Sequence, residues 1–135
     1  MTDMNINVPA VLAAAVASFV ASAVWYAVFG GAVERLQQQW RGTTASNQSM
    51  VRDMVVIFAS SLIIALAVAF LIGLTDVSGV AQSAGLGLLL WVGFAMTQWM
   101  NSIVGEDVPV LLAAIHAGDW LLHTVIISVI IGIWR

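Results

Sequence analysis

The chain has 135 residues, 61% of them hydrophobic and only 8% charged, with a mean hydropathy of +1.02 and a formal net charge of −3. Soluble domains carry roughly 25% charged residues, so this chain lacks the polar surface that a water-facing globule needs. Lysine is absent and the basic side chains are Arg35, Arg41, Arg52 and Arg135, too few and too scattered to bind nucleic acid; zero cysteines exclude disulfides, thiolate metal sites and thiol nucleophiles.

These numbers point to an all-α integral membrane protein, one transmembrane domain over residues 1–135. A spanning helix needs about 20 mostly apolar residues at ~1.5 Å rise each. Four stretches qualify: about Val8–Phe29, Val51–Leu74, Val80–Val104 and Val108–Trp134. A β-barrel would alternate polar and apolar residues, which these runs do not. The first span is expected to stay in the mature protein, because Asp3 stands where a signal peptide carries cations.

Between spans one and two lies a polar segment, Gly30 to Met50. In it Ala32, Val33, Leu36 and Trp40 recur at helical spacing beside Glu34, Arg35 and three glutamines, which predicts a short interfacial helix. Asn47-Gln48-Ser49 matches a glycosylation sequon, meaningful only in a secretory lumen. The other connections, Thr75–Gly79 and Gly105–Pro109, are tight turns, so spans two, three and four are expected to run as an up-down meander. Arg35, Arg41 and Arg52 flank the first loop against Arg135 at the far end, which predicts the first loop in the cytoplasm and both termini outside.

Membrane helices associate where small residues let backbones approach. Helix one offers Ala13, Ala17 and Ala21 beside Ala14, Ser18 and Ser22. Helix two offers Ser61, Ala65, Ala69 and Gly73; helix four offers Ala114, Gly118, Ser128 and Gly132. Gly85, Gly87 and Gly93 read as further close-packing sites. Small-residue faces exceed what one thin bundle buries, so a homo-oligomer or association with partner membrane subunits is expected, in addition to the lipid bilayer.

Helix four carries the strongest chemical signal. His116, Asp119 and His123, spaced i, i+3, i+7, fall within about 60° of arc near mid-membrane. A carboxylate at that depth costs at least ~2.5–3.5 kcal/mol on insertion scales, so it is expected to face protein or water with a partner. Thr97, Gln98 and Asn101 on helix three share an arc at matching depth, and Tyr26 on helix one and Ser60 with Ser61 on helix two lie nearby. Together they suggest a polar half-cavity opening toward the arginine side. Four readings stay open: structural hydrogen bonding, a proton or ion relay, a metal site at His116, Asp119 and His123, and ligation of a haem or pigment by one histidine. The identity of any cofactor is not legible. No nucleophile elbow, phosphate loop or paired-carboxylate motif is present.

Three segments resemble a known family: the alanine-rich run ending in Trp25-Tyr26 with Phe29-Gly30 after it; Leu90-Trp91-Val92-Gly93-Phe94 with Asn101 and Gly105-Glu106; and Ala114-Ile115-His116-Ala117-Gly118-Asp119-Trp120 ending in Ile131-Gly132-Ile133-Trp134. They resemble the bacterial family catalogued as domain of unknown function 1761, small proteins of four predicted spans. The resemblance covers nearly the whole chain. It implies a four-helix fold in the bacterial inner (plasma) membrane and brings no established activity. Family members often carry an acidic or polar residue near position 116 and an aromatic–histidine pair near 119 and 120. Here His116, Asp119 and Trp120 stand at those places, with His123 a turn later.

Two functions are expected from these features. The first is a small transporter or channel for protons, ions or small polar solutes, through the cluster of Tyr26, Thr97, Gln98, Asn101, His116, Asp119 and His123. The second is a non-catalytic subunit or assembly factor of a larger membrane complex, suggested by the size of the chain and its six tryptophans. A membrane enzyme with a metal at the histidines is the least favoured.

Overall fold

The computed structural model describes residues 5–42 and 50–134. Four helices dominate: α1 (Val8–Arg41), α2 (Met50–Leu74), α3 (Gly79–Glu106) and α4 (Val110–Ile133), each long and apolar enough to cross a membrane. Among the described residues there is no strand. The sequon at Asn47 and the terminal Arg135 lie outside the described residues.

Helix boundaries follow local chemistry. Asn7 caps α1, its side chain accepting from the Ala10 N–H at 3.1 Å, and Pro9 sits in the first turn where no donor is needed. The Asn7 amide also donates to the Trp134 carbonyl at 2.8 Å, which fastens the start of α1 to the end of α4. Gly42 ends α1 at φ +66°, the left-handed conformation that favours glycine. Asp107, at φ 54°, turns the chain between α3 and α4. Pro109 precedes α4 as its cap residue, so this helix starts at Val110, two residues later than expected.

The expected separate interfacial helix is not present. Residues 32–41 continue α1 without a break, giving a helix of 34 residues, about 51 Å long at 1.5 Å per residue and well beyond a ~30 Å hydrocarbon core. Gly30 and Gly31 cost about 1 kcal/mol each in a helix interior and do not stop it. The reason is tertiary: Val33, Leu36 and Trp40 pack on Val108, Leu112 and Ala113 together with Trp99 and Ile103. The apolar stripe belongs to a docked extension that closes the base of the α3–α4 hairpin.

The meander is also modified. α4 is the central helix and touches the other three; α1 touches α2 and α4, whereas the backbones of α2 and α3 do not approach one another among the described residues. α1, α2 and α4 form a triangle around Ala14, Ala65, Val68, Ile72 and Ile127, and α3 is added to the outer side of α4. Small residues set the close approaches. A Cβ on Gly87 would meet the backbone oxygen of Thr124 at 2.6 Å, and one on Gly132 would overlap the Ser83 side chain. The buried stripe on α1 is Ala14, Ser18 and Ser22, with Ala13, Ala17 and Ala21 half-buried at its edge. On α2, Ser61 and Ala65 are buried and Gly73 is exposed. Gly85 and Gly93, expected as packing sites, have nothing within 4 Å of a Cβ position, and Ala114 is exposed.

Candidate functional site

The polar residues of α4 are divided between two clusters. His116 Nδ1 and the Tyr26 hydroxyl share a hydrogen bond of 2.6 Å, and the Trp99 ring stacks on the imidazole at a centroid distance of 5.0 Å and an interplanar angle of 10°. Two turns further, His123 Nδ1 lies 3.2 Å from the Asp119 carbonyl oxygen and 3.5 Å from Asp119 Oδ1. His123 Nε2 is 3.2 Å from the Ser61 hydroxyl, which itself lies 3.0 Å from the Ile57 carbonyl. Asp119 follows His116 by three residues on α4, so the two clusters lie about one turn apart on the same helix. Asp119 and His123 are both buried.

Two indoles fix this stretch of α4. Trp25 donates from Nε1 to the Ile115 carbonyl at 3.0 Å, and Trp91 donates from Nε1 to the Ala117 carbonyl at 2.7 Å. They come from α1 and α3 and bracket His116 on the carbonyls either side of it. Gly118 lies directly under the Trp25 ring. Trp25 and Trp99 thus flank His116, which like Tyr26 is half-buried.

Hydrogen-bond arithmetic in the second cluster turns on one proton. The acceptors facing His123 Nδ1 are a carbonyl and a carboxylate, so Nδ1 carries hydrogen. In neutral imidazole Nε2 is then an acceptor, and the single Ser61 proton has to serve either Nε2 or the Ile57 carbonyl. With a second proton on the ring, Nε2–H donates to Ser61 and Ser61 donates to Ile57, which leaves no acceptor waiting. Asp119 Oδ1 is buried and has no hydrogen-bond partner among the described residues, and it is the carboxylate atom nearest that imidazole. The site can hold or release a proton by re-pairing side chains already in contact.

Of the sequence-derived site residues, Tyr26, His116, Asp119 and His123 are brought together. Thr97, Gln98 and Asn101 are not: all three are exposed, and the Thr97 hydroxyl donates back to carbonyls of its own helix at Gly93 and Phe94. The cause is a π turn over Trp91–Met96, which inserts one extra residue into the helix and rotates everything after it. Counting about 100° per residue from the buried Gly87, an uninterrupted helix points Gln98 within about 20° of α4; with one residue absorbed, Trp99 takes that direction. The structure duly has Trp99 on His116 and Ser102 buried.

No group of three His, Asp or Glu side chains able to hold a metal forms among the described residues. His116 faces Tyr26 and His123 faces Asp119 and Ser61, so the three candidate ligands on α4 do not converge. Sequence reasoning placed Ser61 at mid-depth but did not pair it with His123, and it assigned no role to Trp25, Trp91 or Trp99. A second feature adjoins the polar cluster across Trp99 and Trp120: a groove of about 760 Å³ between α2 and α3, floored by Trp120 and Thr124 of α4 and lined mainly by carbon, with Ile63, Leu71, Leu90 and Phe94 along its walls. Gln98 also lines it.

The sequence model of a family described as "Protein of unknown function (DUF1761)" matches residues 9–132, nearly the whole chain. The chain belongs to this family. No curated protein and no solved structure shows significant similarity to it.

Proposed function

We propose that this multi-pass membrane protein moves protons, alone or coupled to a small polar solute, through the triangle of α1, α2 and α4. The reading rests on one observation: a buried Ser61–His123–Asp119 string, which admits two hydrogen-bonding patterns that differ by one proton, lies on the same helix one turn beyond the Tyr26–His116 bond. Such a set is expensive in a bilayer core, and ionisable side chains at that depth characteristically line proton or ion pathways. From His116 to His123 the string runs about 10 Å along α4, a third of a ~30 Å hydrocarbon core. Hydrated ends or a change of packing complete the path. The first loop is assigned to the cytoplasm on its arginines, with the inner membrane of a bacterium as the setting.

The test is proton flux in liposomes containing the purified protein under an imposed pH gradient. Asp119→Asn retains shape and is expected to abolish flux above the empty-liposome leak while the helical signal persists. His123→Gln is expected to behave likewise. Wild-type flux in both variants sinks the relay and leaves the cluster a structural lock.

A subunit role in a larger assembly is favoured by a different feature, the apolar groove between α2 and α3. A stoichiometric partner co-purifying in mild detergent, together with the absence of flux, supports that reading instead.

A further inference from the structure

The second half of α3 presents an unusual surface for a membrane helix. Gln98 and Asn101 are exposed, and neither carboxamide has a hydrogen-bond partner among the described residues. Both lie within the spanning segment, about 12 Å and 7 Å from its end at Glu106 by helical rise. Hydrocarbon offers such groups nothing, and an unsatisfied polar group there costs several kcal/mol. In membranes, side-chain amides find partners across helices.

Three observations narrow the partner. α3 is the least embedded helix, with 11% of its spanning window buried, and among the described residues α4 is the one helix whose backbone approaches it closely. The outward face around the carboxamides, formed by Thr97, Met100 and Val104, carries no charge, so it asks for no charged counterpart. A carboxamide carries two donors and an acceptor and is complementary to itself, which is what a two-fold axis presents. The chain also holds this face outward at the expense of helix regularity, since the π turn over Trp91–Met96 is what turns the carboxamides away from α4.

We infer that the Gln98–Asn101 face of α3 is a homo-oligomer interface, each carboxamide pairing with those of a second copy of this chain. The inference stands apart from proton movement and requires no particular protonation of the α4 cluster. Val20 on α1 is also exposed, but it lies on an all-carbon surface that lipid satisfies.

Because the chain contains no cysteine, single-cysteine cross-linking in native membranes is unambiguous. Gln98→Cys and Asn101→Cys are expected to give a covalent dimer on mild oxidation, at least fivefold above Val20→Cys. Native mass spectrometry of the unmodified protein in mild detergent is expected to show an oligomer, and Gln98→Leu with Asn101→Leu to convert it to monomer with helical content retained. Equal dimer at position 20, a monomer from the unmodified protein, or an oligomer that survives the double leucine change overturns the interface.

Discussion

The indole of Trp25 occupies the space where a side chain at position 118 would begin: a Cβ on Gly118 would lie 2.5 Å from Trp25 Cζ2. With nothing there, the indole lies flat enough to donate to the Ile115 carbonyl at 3.0 Å and to seat α1 against α4 beside His116. Gly118→Ala therefore forces the ring to move, and overpacking of this kind costs about 1–3 kcal/mol. Trp25→Phe removes the donor and trims the part of the indole that lies over Gly118, and is expected to cost at least the ~0.5–1.5 kcal/mol of a typical hydrogen bond. Thermal unfolding in detergent ranks the two. A Gly118→Ala protein as stable as wild type contradicts the packing.

The Tyr26–His116 bond crosses from α1 to α4, 90 positions apart in the chain, at 2.6 Å. Tyr26→Phe and His116→Gln each remove it. If it is made in the folded protein, the double variant is less destabilised than the sum of the singles, by a coupling of about 0.5–1.5 kcal/mol. Pairing Tyr26→Phe with Thr75→Ala, whose hydroxyl bonds back within α2, is expected to be additive within ~0.5 kcal/mol. A cycle with no coupling at 26 and 116 removes the hydrogen bond that ties α1 to His116.

Glycines in α3 and α4 divide sharply by what surrounds them. Gly87 faces the backbone of Thr124 and Val125, and Gly132 faces Ser83, whereas Gly85 and Gly93 face open space. Gly87→Ala and Gly132→Ala are expected to separate α3 from α4 and lower stability by ~1–3 kcal/mol. Gly85→Ala and Gly93→Ala meet no obstacle and gain up to ~1 kcal/mol of helix propensity. Opposite signs in melting temperature for the two pairs are the expected result; a loss at Gly85 as large as at Gly87 contradicts the assigned faces.

What the sequence made legible follows from which physics is local. The four spans are local: length and hydropathy decide them, and they stand as expected. His116, Asp119 and His123 share a face because one uninterrupted helix carries them, and their partner Tyr26 was found by depth. The extension of α1 is not legible locally, because the polar composition of 30–41 suits an interfacial segment and the residues that dock it, Val108 and Leu112, lie about seventy positions away. Ser61 is small and deep by sequence, and only the packing of α2 on α4 makes it a partner of His123. A regular 100° count puts the stripe on α3 on the wrong side, because the helix takes a wide turn at Trp91–Met96.

That wide turn yields the most direct test of the architecture. In the native helix Trp99 stacks on His116, and position 98 is rotated about 100° away from it. Deleting Ala95 removes the extra residue, and a helix that closes into regular α geometry keeps residues 97–106 facing as they do now, because the same number of regular steps then separates Gly87 from position 99. Cysteine pairs report this directly in a chain without native thiols. Trp99→Cys with His116→Cys is expected to cross-link in preference to Gln98→Cys with His116→Cys both in the full-length helix and in the deletion. Deleting a residue outside the wide turn, such as Leu89, has no extra residue to remove and is expected to turn the rest of α3 and lose the 99–116 preference. If deleting Ala95 reverses the preference, the extra residue does not lie in this turn, and the rotation argued from it fails.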